Sequence, residues 1–87
     1  MMVNTQNTYA QARNDYEVSG KEIHFNDGTI LGGFCSAVFL LCSRSNTVLD
    51  IVMSLAARQS EATEELIADT SRCIEAMLGN GLLKEAY

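Results

Sequence analysis

Apolar and polar positions alternate from Tyr16 onward, and then settle into helical spacing. Ile23 and Phe25 alternate with Glu22, His24 and Asn26, the period-2 signature of a half-buried strand. Asp27-Gly28 can supply the positive φ angles of a tight primed turn, so this strand is expected to fold back on Thr29, Ile30 and Leu31 as a hairpin. Tyr16-Glu17-Val18, set off by Ser19-Gly20, predicts a further short strand and with it a three-stranded sheet. Gly32-Gly33 breaks the strand, and Phe34 to Cys42 follows as a run apolar nearly all round. It reads as a buried helix, with a strand as the other reading, because periodicity does not separate the two over so short a run.

Ser43-Arg44-Ser45-Asn46 is a polar loop, and Thr47-Val48-Leu49-Asp50 predicts a helix start. Asn46 or Thr47 would cap the free backbone N–H groups, and Asp50 suits the first turn. Val48, Ile51, Val52 and Leu55 recur at helical spacing, so one side of this helix is expected to be core. After Arg58-Gln59-Ser60, Glu61, Glu64 and Glu65 crowd a second helix start, where negative charge complements the macrodipole. Leu66, Ile67, Thr70, Cys73, Ile74, Met77 and Leu78 then form a stripe, and Gly79-Asn80-Gly81 tolerates a left-handed C-cap. Leu82 and Leu83 are expected to tuck back under this last helix. Residues 1–14 carry no apolar period, with Tyr9 as the one sizeable anchor, and are expected to form a flexible segment unless docked. Residues 15–87 make the single domain.

Composition narrows what such a domain can do. The chain has 87 residues, so one core must suffice, and with 47% apolar against 20% charged residues it is a folding chain and not a disordered one. The formal charge of −5 repels a phosphate backbone, which disfavours nucleic acid as a partner. No apolar run approaches the roughly 20 residues that cross a bilayer. The opening residues Met1 to Asn7 lack the basic and apolar regions of a signal peptide, and the expected compartment is the cytoplasm with no membrane partner.

Catalytic chemistry is sparse. His24 falls on the polar side of its strand with no positioned acid or nucleophile beside it, and a general base needs such a partner. Asp27-Gly28-Thr29 lacks the Gly-x-x-x-x-Gly-Lys frame of a phosphate loop, and the acidic stretch from Glu61 to Asp69 lacks the ligand alternation of a calcium loop. Cys35, Cys42 and Cys73 are odd in number, sit in apolar patterns and show no Cys-x-x-Cys spacing. They read as reduced core residues and not as a disulfide framework or a metal site. The expectation is a non-catalytic binding domain without metal or cofactor.

The order of these features has a counterpart. A hairpin, Ile30-Leu31-Gly32-Gly33 leading into Ala37-Val38-Phe39-Leu40-Leu41, then Thr47-Val48-Leu49-Asp50-Ile51-Val52, then Glu64-Glu65-Leu66-Ile67-Ala68-Asp69 and finally Gly81-Leu82-Leu83 resembles the PqqD family. The resemblance spans about residues 16–83 and rests on order and spacing more than on any one motif. It departs from the commoner family pattern at Gly32-Gly33-Phe34.

The resemblance implies a winged-helix-like α+β fold, a short hairpin or three-stranded sheet on three helices. It also implies a stand-alone recognition element for ribosomally made, modified peptides. Such an element binds the leader of a precursor peptide and presents it to a modifying enzyme, often a radical S-adenosylmethionine enzyme, while carrying no cofactor itself. Family likeness places the docking edge on Thr29, Ile30 and Leu31, where an extended leader could pair with free backbone groups. Thr70, Cys73 and Met77 are then the expected groove residues of the third helix, with Ile67, Ile74 and Leu78 as core. The simpler reading makes the whole stripe core. Arg72 is a candidate partner for an acidic leader residue, or a plain surface charge. Two other functions share the outline: a winged-helix DNA-binding regulator, which the scarcity of basic residues in the helices opposes, and a structural homodimer using the same edge.

Overall fold

In the computed structural model, residues 3–58 and 63–87 are described. The elements run β1 (Tyr9–Gln11), β2 (Tyr16–Ser19), β3 (Glu22–Phe25), β4 (Ile30–Gly32), α1 (Gly33–Leu41), α2 (Val48–Ala56), α3 (Thr63–Gly79) and β5 (Leu83–Glu85). The class is α+β: β2, β3 and β4 form an antiparallel sheet with β3 in the centre, and β1 pairs with β5 in a separate two-stranded sheet.

Ile23 and Phe25 are buried and their neighbours Glu22 and His24 exposed, as the alternation requires. The turn after them is not the expected primed pair. Gly28 has φ 91°, but no other residue type in the described chain has positive φ, so Asp27 cannot occupy the first position of such a turn. Instead Phe25 N–H donates to the Thr29 carbonyl at 2.8 Å across a three-residue loop, and Asp27 Oδ1 accepts the Thr29 amide at 3.0 Å. The aspartate side chain thus serves the loop that the dipeptide was expected to form by backbone geometry alone.

The apolar run after β4 is a helix and not a strand, but it is buried on one side only. Val38 and Phe39 are buried, while Leu40 is 45% exposed and Phe34, Ala37 and Leu41 are half-buried. Phe39 packs edge-on against Tyr16 at 5.3 Å and Phe25 at 5.7 Å, which fastens α1 to the sheet. Arg13 lies over the other side of this cluster, 4.8 Å from the Phe25 ring centre.

Thr47 caps α2 in a reciprocal box: its Oγ1 accepts the Asp50 amide at 3.1 Å and Asp50 Oδ2 accepts the Thr47 amide at 2.9 Å. Asn46, the other candidate cap, donates from its side chain to the Leu41 carbonyl and closes the end of α1. Val48, Ile51, Val52 and Leu55 are buried at the expected spacing. At the end of α3, Leu82 N–H donates to the Met77 carbonyl at 2.9 Å and Gly81 N–H to Leu78 at 3.2 Å, with Gly81 at φ 74°. That is a Schellman closure, and it turns Leu82 and Leu83 into the core. Glu61, expected in the first turn of this helix, and the Gln59-Ser60 break lie outside the described residues.

The segment expected to be loose is docked. Tyr9 is buried, β1 pairs with β5, and the carbonyls of Thr5 and Asn7 accept the Leu49 and Val48 amides at 3.0 Å each. These amides belong to the first turn of α2, where no helical carbonyl is available to them. The docking therefore supplies acceptors that the side-chain cap alone does not.

Candidate functional site

β4 is an edge strand, and its register shows which backbone groups are spent. Phe25 and Thr29 form a hydrogen-bonded pair, so Ile23 and Leu31, two positions along, form another, and Ile30 opposite His24 lies between them. In an antiparallel ladder such intervening residues turn their amide and carbonyl away from the partner strand. Ile30 is 57% exposed, Thr29 is exposed, and Leu31 is half-buried against the core. Of the three expected edge residues, Ile30 offers the free polar pair, whereas Leu31 and the Thr29 carbonyl are engaged by β3.

α3 does not supply the expected groove wall. Thr70 and Met77 are fully buried, and Cys73 is 9% exposed, so all three are core residues. Ile67 and Leu78, expected as core, are only half-buried at its margin, while Ile74 is core as expected. The cause is that α3 packs against α1, α2 and β5 together, and three neighbours need a wide apolar stripe. Arg72 is exposed and paired with Asp69 one turn earlier on the same helix.

Cys73 carries a further correction. It is disulfide-bonded to Cys35 of α1, with Cα atoms 5.5 Å apart, so two of the cysteines read as reduced are cross-linked. The pairing joins helices 38 residues apart in sequence, and no local spacing announces it. Cys42 is the remaining free thiol; it is buried, and burial pushes it up to about 12, which keeps it protonated and unreactive.

A second surface, which the sequence reading did not identify, lies between the β2–β3 turn and α1. A groove of about 510 Å³ is lined there by Val18 and Ile23 from the sheet, Ala37 and Leu40 from α1, and Lys21 and Arg58 at the rim, among others. The one available signal was the apolar run itself, which carries more apolar surface than one core contact consumes. A smaller polar hollow of about 300 Å³ lies between Gln11, Arg13, Asn14 and Lys84. Arg13 is already engaged there, donating to Asp15 and, at 3.0 Å, to Asp27. Both carboxylates are held below the usual range, Asp15 chiefly by Arg13 and Asp27, at about 2, chiefly by the Thr29 amide.

No family model, curated protein or solved structure matches the chain. Among the described residues no group of three or more His, Cys, Asp or Glu side chains could hold a metal ion, and His24 meets only Glu22, at 3.2 Å. No described helix is long and apolar enough to cross a membrane. The site-forming features are therefore a free sheet edge and an apolar groove, both suited to contact with another polypeptide.

Proposed function

We propose that the protein is a non-catalytic peptide-recognition domain that binds the leader of a ribosomally made precursor by strand addition and presents it to a modifying enzyme of the radical S-adenosylmethionine type. The observation that carries this reading is the edge strand β4 with its outward Ile30 amide and carbonyl, a ready partner for an extended chain. The similarity in the order of elements to PqqD supplies the class of ligand. Thr70, Cys73 and Met77 drop out of the docking surface, leaving Thr29, Ile30 and Leu31 as the edge and Arg72 as a surface charge.

Isothermal titration with the precursor encoded beside this chain tests the reading. Binding tighter than about 100 μM, roughly 5 kcal/mol, is expected. Ile30→Pro removes the outward donor and should weaken binding while leaving helix content intact. Absence of binding, or indifference to Ile30→Pro, refutes the β4 edge; a concentration-dependent mass in light scattering would assign that edge to a homodimer instead.

The cytoplasm is the compartment this reading requires. The Cys35–Cys73 bond pulls the other way, because structural disulfides belong mainly to oxidising compartments. Alkylating the thiols in intact cells before lysis decides between them.

A further inference from the structure

We propose that the groove beside β2 is a second docking site, for an extended peptide segment of a partner protein in which acidic residues stand two positions to either side of a bulky apolar one. The register of β2 is the first support. Asn26 N–H donates to the Asp15 carbonyl at 2.9 Å, which makes Glu17–His24 and Ser19–Glu22 the hydrogen-bonded pairs and leaves Tyr16 and Val18 with their amides and carbonyls directed away from β3. β2 is the other edge of the sheet, so these groups can receive a strand.

The faces agree with that placement. Val18 stands opposite Ile23, hence on the core face of the sheet, yet it is 53% exposed because the groove opens in front of it. A residue laid opposite Val18 on an added strand would share this face and enter the groove against Leu40 and Ala37. A volume of about 510 Å³ accommodates one or two large apolar side chains.

Charge selects the flanking residues. The chain is acidic overall, with six basic residues against eleven acidic ones, yet two of the six, Lys21 and Arg58, line this groove. Among the described residues its one lining carboxylate, Glu22, is turned to His24 at 3.2 Å. On an added strand the positions two to either side of the groove residue share its face, so acidic side chains there meet the cations at the rim, whereas basic ones meet like charge. This site is separate from β4: Ile30 lies on the opposite edge and its side chain on the opposite face from Leu31.

The test is fluorescence anisotropy of the full chain with labelled synthetic peptides in which Gly-Ser flanks enclose Asp-Ser-Leu-Ser-Asp, Lys-Ser-Leu-Ser-Lys or Asp-Ser-Ser-Ser-Asp. The first should bind, and the other two at least about tenfold more weakly. Leu40→Glu, which fills the groove with a like charge, and Arg58→Glu, an exposed change that spares the core, should each weaken the first peptide by about tenfold or more. Ile30→Pro should leave its affinity within about twofold. N-methylation of alternate amides in the peptide should abolish binding in one of its two frames, the sign of strand pairing. No binding of the first peptide, equal binding of the Lys peptide, or loss in Ile30→Pro with retention in Arg58→Glu overturns the proposal. The last of these outcomes leaves the β4 reading standing, and the converse pattern would leave only the groove.

Discussion

Breaking the Cys35–Cys73 cross-link is the sharpest perturbation available. The bond ties α1 to α3 across a separation of 38 residues. Closing a loop of that length removes chain entropy from the unfolded state worth about 4 kcal/mol. A domain of 87 residues is expected to have a total stability of about 4 to 13 kcal/mol, so the bond is a large share of it. Urea unfolding followed by circular dichroism at 222 nm, with and without a phosphine reductant, measures the difference directly. The reduced protein and the Cys35→Ser/Cys73→Ser double variant should both fall by about 3 to 4 kcal/mol, or about 15 to 30 °C in melting temperature. Their denaturant slope should rise, because an uncrosslinked unfolded chain exposes more surface. Thiol titration of the denatured, non-reduced protein should find one reactive thiol, Cys42. Three reactive thiols, or oxidised and reduced forms within about 1 kcal/mol of each other, would refute the cross-link as a stabilising element.

Two further outcomes follow from single buried or charged groups. Thr70 is fully buried and its Oγ1 has no hydrogen-bond partner among the described residues, so Thr70→Val, nearly the same shape, should stabilise by about 1 to 2 kcal/mol in the same urea assay; destabilisation would mean that the hydroxyl is satisfied. Asp27 ionises at about 2 in the folded state against 3.8 for its ordinary value, so it stabilises the fold above about pH 4 and that contribution fades as pH falls through 2. Thermal melts of the wild type and Asp27→Asn from pH 6 to pH 2 should show a gap that closes on acidification, and a gap that widens would invert the reasoning.

The parts of the fold that were legible in the sequence are those where one element meets one neighbour. Val48, Ile51, Val52 and Leu55 predict α2 because a single face is buried, and Ile23 with Phe25 predicts β3 for the same reason. The stripe of α3 misled because a helix with partners on several sides buries Thr70, Cys73 and Met77 as thoroughly as Ile74. Nothing local could reveal that Tyr9–Gln11 and Leu83–Glu85 are strands, since each has three residues and each pairs only with the other. The β4 edge was visible as a hairpin arm; the β2 groove was not, because it needs the turn at Gly20-Lys21 to be brought over α1. A hydrogen bond from Ser36 Oγ to the Lys21 carbonyl, 3.0 Å long, makes that join.

The β1–β5 pairing also orders events during synthesis. Tyr9 faces Glu85, a separation of 76 residues, whereas β2, β3 and β4 find one another within a span of 17 residues from Tyr16 to Gly32. The three-stranded sheet can therefore assemble while the chain is still emerging from the ribosome, but the buried tyrosine has no partner strand until Leu83–Glu85 have emerged as well. Until then the Thr5 and Asn7 carbonyls have no neighbouring strand to hold them over the first turn of α2, so closure of the helical core awaits Leu83–Glu85. A nascent chain halted before Leu83 should remain open to protease between Tyr9 and α2, while one in which Leu83–Glu85 have left the ribosome should not.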